Sequence, residues 1–173
     1  SQTKPTKAEP ESIPPFPDAE RETKAEPMED GERIVLMTDV HYLARSLTDR
    51  GSSFQNEIEH GDGKLTHYVW EIVDAAFDEL LTPDVLIVSG DLTLNGEVKS
   101  HEEFAALLDE VERRGISVLV IPGNHDINSR WASSYIGKKR EPVQTIDAGG
   151  FASIYAQFGY NEASERDPYS LSY

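Results

Sequence analysis

The sequence predicts an α/β domain built on a parallel sheet. Three observations predict it. Short apolar runs occur at 34–37, 85–88 and 116–121, the last interrupted only by Ser117; amphipathic helix patterns fill both intervals between them; and a polar cluster stands at the C-terminal end of every run. An unbroken run of this length suits a strand buried on both faces. Strand, helix, strand, helix, strand in that order implies parallel pairing through right-handed crossovers.

Residues 1–32 precede the first strand and hold Pro5, Pro10, Pro14, Pro15, Pro17 and Pro27 among many charges, with few large apolar side chains. Such a stretch buries too little surface to offset its ordering entropy, so it reads as a flexible Pro/Glu-rich tether. The folded part is 33–173. Ile34-Val35-Leu36-Met37 opens it, and a polar, glycine-rich loop follows. A helix is expected from about residue 64 to 81, because Leu65, Val69, Ile72, Val73, Ala76, Phe77, Leu80 and Leu81 recur at helical spacing; Pro83 stops it. The run Val85-Leu86-Ile87-Val88 is the second strand. Ser100 with Glu103 reads as a capping box opening a second helix, striped by Phe104, Leu107, Leu108 and Val111 and closed by Gly115. After the third strand, a short helix is expected over about 150–158, capped by Asp147 and closed by Gly159. Ser170-Leu171-Ser172-Tyr173 reads as the opening of another strand.

Composition narrows the function. The 173 residues contain 16 Lys+Arg, 32 Asp+Glu and no cysteine, for a net charge of −16. Disulfides, zinc–thiolate sites and cysteine nucleophiles are excluded. So acidic a chain repels a nucleic-acid backbone, and extended nucleic acid is not an expected partner. It favours bound cations. No apolar run approaches the roughly 20 residues of a membrane span.

The three polar clusters are Asp39-Val40-His41, Gly90-Asp91 and Gly123-Asn124-His125-Asp126. In parallel α/β sheets, ligands bind beyond the strands' carboxyl ends. Strands about 4.8 Å apart could bring these clusters to one metal site. Taken singly, the first has a plainer account in turn chemistry and the second in helix capping, while Gly123-Asn124-His125-Asp126 is the more specific. Together, at three strand ends, they favour a metal site.

These motifs resemble the first three of the calcineurin-like metallophosphoesterases, over about residues 33–173. Asp39-Val40-His41-Tyr42-Leu43, Gly90-Asp91-Leu92-Thr93-Leu94-Asn95-Gly96-Glu97 and Val120-Ile121-Pro122-Gly123-Asn124-His125-Asp126-Ile127-Asn128 look closest to surface phosphoesterases of Gram-positive bacteria, some of which act on cyclic nucleotides. The resemblance implies a layered α/β/β/α sandwich, of which this chain carries the N-terminal βαβαβ part. It implies a binuclear centre of two divalent or trivalent ions (Mn, Fe or Zn), with Asp39 and His41 on the first, Asp91 bridging and Asn124 on the second. His125 would contact the phosphate or protonate the leaving oxygen, and Asp126 would support the loop. The implied activity is hydrolysis of a phosphodiester or phosphomonoester by metal-activated hydroxide. The implied substrate is a small phosphorylated molecule, with a cyclic nucleotide as first candidate. An extracellular or cell-surface location is expected, with the cytoplasm as the alternative.

The chain departs from the family pattern in two ways. Relatives orient the histidine with an Asp or Asn three residues after the bridging Asp; here that residue is Leu94, with Asn95 one position late. The family also uses later histidines as ligands, and no histidine follows His125. The remainder of the domain is therefore expected elsewhere, and the three-stranded part alone should expose apolar surface. The rival function is a non-catalytic metal-binding or interaction module with the same fold; a DNA nuclease is disfavoured by the charge. His60, His67 and His101 read as non-functional. The Lys138-Lys139-Arg140 run reads as a solvated face, and Trp131, Tyr135, Phe151, Tyr155 and Phe158 as packing residues.

Overall fold

The computed structural model describes residues 31–61, 64–80, 83–161 and 163, and the backbone of 165–167 and 170–172. Two units divide the chain, Ser1–Gly31 and Glu32–Tyr173. All but the last two residues of the expected tether lie outside the described residues.

The three apolar runs form strands β1 (Ile34–Thr38), β2 (Val85–Ser89) and β3 (Ser117–Ile121). They make one parallel sheet in the order β1-β2-β3, with Leu36 opposite Ile87 and Ile87 opposite Leu119. The sheet is the expected one. Leu86, Val88, Val118 and Val120 point to one face and are fully buried against α2 (Val69–Asp78) and α3 (Val98–Glu112). The opposite face is the surplus apolar surface expected of a partial sandwich: Ile34 is 58% exposed and Leu36 64%.

Both helices begin differently from the sequence expectation. A 3-10 turn at Thr66–Tyr68 precedes α2, whose buried face is Val69, Trp70, Val73 and Phe77. Leu65 and Ile72, expected on that face, are exposed. Trp70 replaces them by turning inward, where its Nε1–H donates to Leu43 O at 2.7 Å. The helix ends at Asp78, short of Leu81, which lies outside the described residues.

The capping box on α3 is a correction. The helix starts at Val98, with Glu97 at its N-cap, so Ser100 and Glu103 lie inside its first turns. Their side chains serve the loop after β1 instead. Ser100 Oγ accepts the Ala44 N–H at 3.1 Å, and Glu103 accepts the Tyr42 hydroxyl at 2.6 Å and the Arg45 N–H. The Ser-x-x-Glu spacing that suits a cap equally places two polar groups on one helix face.

One helix and one hairpin were not expected. Helix α1 (Ser52–His60) occupies the supposed loop, and strands β4 (Ser133–Ile136) and β5 (Lys139–Pro142) form a hairpin. Together they build a second core, in which Phe54 and Tyr135 pack with Leu43, Ala44, Leu47 and Leu94. That core lies beneath the loops that follow β1 and β2. Helix α4 (Ala148–Ile154) is capped as expected, with the Asp147 side chain accepting the Gly150 N–H at 2.8 Å, but it ends at Ile154, and Gly159, with a left-handed φ of 102°, lies in the separate turn Ala156–Tyr160 rather than closing it. The terminal strand signal becomes β7 (Ser170–Ser172), paired antiparallel with β6 (Glu165–Asp167).

Candidate metal centre

Backbone pairing continues past the strand ends and gathers the clusters. Asp39 N–H donates to Gly90 O, His41 N–H to Asp91 O at 2.9 Å, and Tyr42 N–H to Leu92 O; Gly90 N–H donates to Ile121 O. The loops after β1, β2 and β3 thus stay laterally bonded where the polar residues stand. Asp39, His41 and Asp91 all sit in the left-handed region, with φ of 54°, 49° and 49°. Non-glycine residues visit that region rarely, at a cost of order 1–3 kcal/mol, and such strain concentrates at functional sites.

The result is a group of donors. Ligand atoms of Asp39, His41 and Asp91 lie within 4.8 Å of one another. His41 Nε2 is 4.0 Å from Asp39 Oδ1 and 3.9 Å from Asp91 Oδ2. Two ligand atoms about 2.1 Å from one ion are themselves about 3–4 Å apart, so these spacings suit a shared cation with little adjustment. Burial holds the His41 pKa below its ordinary value; Lys64 pushes the same way and Asp91 opposes it. The imidazole is therefore kept in the neutral form that ligates metal.

The loop after β3 is locked over Asp91. Asp91 Oδ1 accepts the His125 N–H at 3.0 Å. A Cβ on Gly123 would collide with the Asp91 carboxylate and backbone nitrogen, so only glycine lets the loop pass this closely. Asn124 is exposed on this loop and is tied to the donor group through its neighbour His125. Asp126 is fully buried. Its carboxylate accepts the N–H groups of Leu92, Thr93 and Gly123 at 3.0, 2.8 and 2.8 Å, and the Thr93 hydroxyl at 2.8 Å. It joins the loop after β2 to the loop after β3.

His125 finds its orienting partner in an unexpected place. Its Nδ1 lies 2.9 Å from Leu94 O and 3.2 Å from Asn95 Oδ1. A carbonyl only accepts, so Nδ1 carries the proton and Nε2 is left with its lone pair. A backbone carbonyl at Leu94, helped by Asn95, thus takes the orienting place. His125 also stands edge-on to His41, with ring centroids 5.1 Å apart.

Two residues near the site were given no role from sequence. Lys64 places its ammonium against the His125 ring, 3.3 Å from Nδ1 and 3.5 Å from Nε2. His101 is fully buried on α3; its Nε2 donates to Asp126 O at 3.0 Å and its Nδ1 accepts the Tyr155 hydroxyl at 3.0 Å. Neither had a local signal: Lys64 follows a polar loop, and His101 is a lone histidine in a helix. His60, by contrast, is exposed at the end of α1 with Nδ1 on Asn56 O, and His67 stacks on Tyr68. Tyr135, Phe151, Tyr155 and Phe158 are buried as packing residues, but Trp131 is 56% exposed.

Burial lowers the His101 pKa from 6.5, with Asp126 acting the other way. The unfolded chain then binds the proton more readily than the folded one. Stability is full above pH 6.5 and should fall as the pH drops below it. Urea unfolding at pH 7.5 and 5.5 checks this: His101→Gln should flatten the fall, and an unchanged slope would assign it to other groups.

Carboxylate and imidazole donors gathered beyond the carboxyl ends of parallel strands define a candidate metal-dependent α/β domain. The chain belongs to the calcineurin-like phosphoesterase family, whose model matches residues 32–171. It is also similar to a protein of Ruthia magnifica subsp. Calyptogena magnifica named "Probable cyclic nucleotide phosphodiesterase", at 35% identity over 75 residues, 43% of this chain and 30% of that protein. The matched segment is thus less than a third of that relative's length. Among the described residues, no helix is long and apolar enough to cross a membrane.

Proposed function

We propose that the chain forms the metal-binding N-terminal part of a phosphoesterase that hydrolyses a phosphodiester or phosphomonoester at a two-ion centre. The observation that carries this reading is the convergence of Asp39, His41 and Asp91 on strained loops beyond β1 and β2, in a chain of this family. The donor set suits Mn, Fe or Zn. Asp39 and His41 would hold one ion, Asp91 both, and Asn124 the second, with further ligands from the remainder of the domain. Bound ions of this kind supply Lewis-acid polarisation of phosphoryl oxygens and an acidified water. A cyclic nucleotide is the first substrate to try, on the strength of the relative's name. The tether at 1–32 would place the domain at a cell surface.

His125 handles the leaving group in this reading. With Nδ1–H fixed on Leu94 O, the Nε2 lone pair would take a proton from the Lys64 ammonium 3.5 Å away and pass it to the leaving oxygen, and Lys64 would recover its own from solvent. In the intact protein, His125→Ala should lower kcat by about 10²–10⁴, the range of a positioned general acid. Metal content should stay unchanged. Poor leaving groups should lose more than good ones, measured across a series of aryl phosphodiesters. Equal losses across the series would remove the proton-donor role. Metal uptake with no turnover on any phosphoester would favour the non-catalytic module.

A further inference from the structure

A cavity of about 730 Å³ opens beside Asn124 and His125, between the loop that follows β3 and the C-terminal end of α1. Its size falls within the roughly 300–1,000 Å³ of small-ligand sites. A smaller, more apolar hollow of about 370 Å³ lies on the other side, beside Asp39, His41 and Lys64. Only the larger one is lined by His125, the residue assigned to the leaving oxygen. A phosphorus held at the metal centre would therefore direct its leaving group into this cavity.

Trp131 stands in its wall. The other aromatic residues of this region expected to pack do so, whereas the Trp131 indole is 56% exposed. Its backbone is clamped on both sides. The N–H donates to Ser129 Oγ at 3.3 Å, and the carbonyl accepts from Ser133 Oγ at 2.8 Å and from Arg140, which is itself paired with Glu57 at 3.2 Å. The Arg130 guanidinium lies 4.8 Å from the indole centroid. An exposed indole on a fixed backbone, backed by a guanidinium, is a surface for a flat aromatic group. The backbone that carries it needs no ordering when the ligand arrives.

We propose that this cavity is the leaving-group subsite and that Trp131 is its stacking platform, selecting an aromatic leaving group of nucleoside size. The inference rests on the phosphoesterase reading and adds to it a residue that determines specificity. In a chain of charge −16, the cavity wall carries Arg130 and Arg140 against Glu57, so it does not repel a nucleotide.

The test compares Trp131→Ala and Trp131→Phe in the metal-loaded intact protein. Two ratios are read: kcat/KM for a nucleoside cyclic phosphate over that for an aliphatic glycerophosphodiester, and calorimetric affinity for AMP over that for inorganic phosphate. Trp131→Ala should lower both ratios by about 5- to 100-fold, the effect of truncating one stacking aromatic, and Trp131→Phe should restore most of the loss. Ratios unchanged in Trp131→Ala, or AMP and phosphate weakened equally, would overturn the subsite. If the wild type bound AMP through Trp131 but turned over no phosphoester, the subsite would stand and the catalytic reading would fall. Turnover with Trp131-independent ratios would do the reverse.

Discussion

Asp91→Ala in the intact protein is expected to lose stoichiometric metal and to lower phosphoesterase turnover by more than about 10³-fold, the upper range for removing one electrostatic group from a reacting centre. Its carboxylate does two jobs. One oxygen faces His41 Nε2 at 3.9 Å, within the donor group. The other accepts the His125 N–H at 3.0 Å and so fixes the loop that carries Asn124. Removing it deletes a ligand and releases the loop that holds another. Asp39 makes no comparable tie: its side chain is largely exposed, and its contact is with His41 at 4.0 Å. Asp39→Ala should therefore reduce occupancy of one ion and retain part of the other. Elemental analysis of the two variants separates the cases, and unchanged metal content in Asp91→Ala would sink the bridging role. Asp91→Asn sharpens the comparison, because the amide oxygen can keep the His125 N–H while the negative charge is gone.

The parts of this fold that were legible in the sequence are those where burial writes a local pattern. The three strands show as short apolar runs: helices bury the face of Leu86, Val88, Val118 and Val120, while the other face is also apolar although Ile34 and Leu36 stay exposed, and the donor residues follow because parallel strands end together. What was not legible depends on contacts between distant segments. Helix α1 has only Phe54 and Ile58 to mark an apolar side, and it exists because Tyr135, Leu47 and Leu94 receive Phe54. The hairpin β4–β5 hides in a charged run because Arg140 is neutralised from outside it, by Glu57 of α1. Ser100 and Glu103 fit the rule for a helix cap, yet they bond to the loop at 42–45, fifty or more residues away. The candidate site divides in the same way. Its donors are marked by type and spacing, whereas Lys64, Leu94 O and His101 reach the site only through the fold.

Asp126 shows how far such a contact carries, and it should be the most destabilising single position of the loop system. Its carboxylate is fully buried and accepts three backbone N–H groups and one hydroxyl. Alanine there would leave Leu92, Thr93 and Gly123 N–H groups buried without that acceptor. Each such group costs about 1–3 kcal/mol, so Asp126→Ala should destabilise by about 3–5 kcal/mol. That is a large share of the roughly 5–15 kcal/mol that holds a domain together. Asp126→Asn should fall between, because one amide oxygen can keep part of the donors while the NH₂ group confronts the rest. The loss should also be local before it is global. Hydrogen exchange should rise first at Leu92, Thr93 and Gly123, the amides that Asp126 holds, and metal affinity should drop because Asp91 adjoins Leu92 and packs against Gly123. Urea unfolding and exchange on the intact protein read both effects. A stability change under about 1 kcal/mol, with exchange at those three amides unaltered, would mean that lateral pairing of the loops holds the centre without the carboxylate.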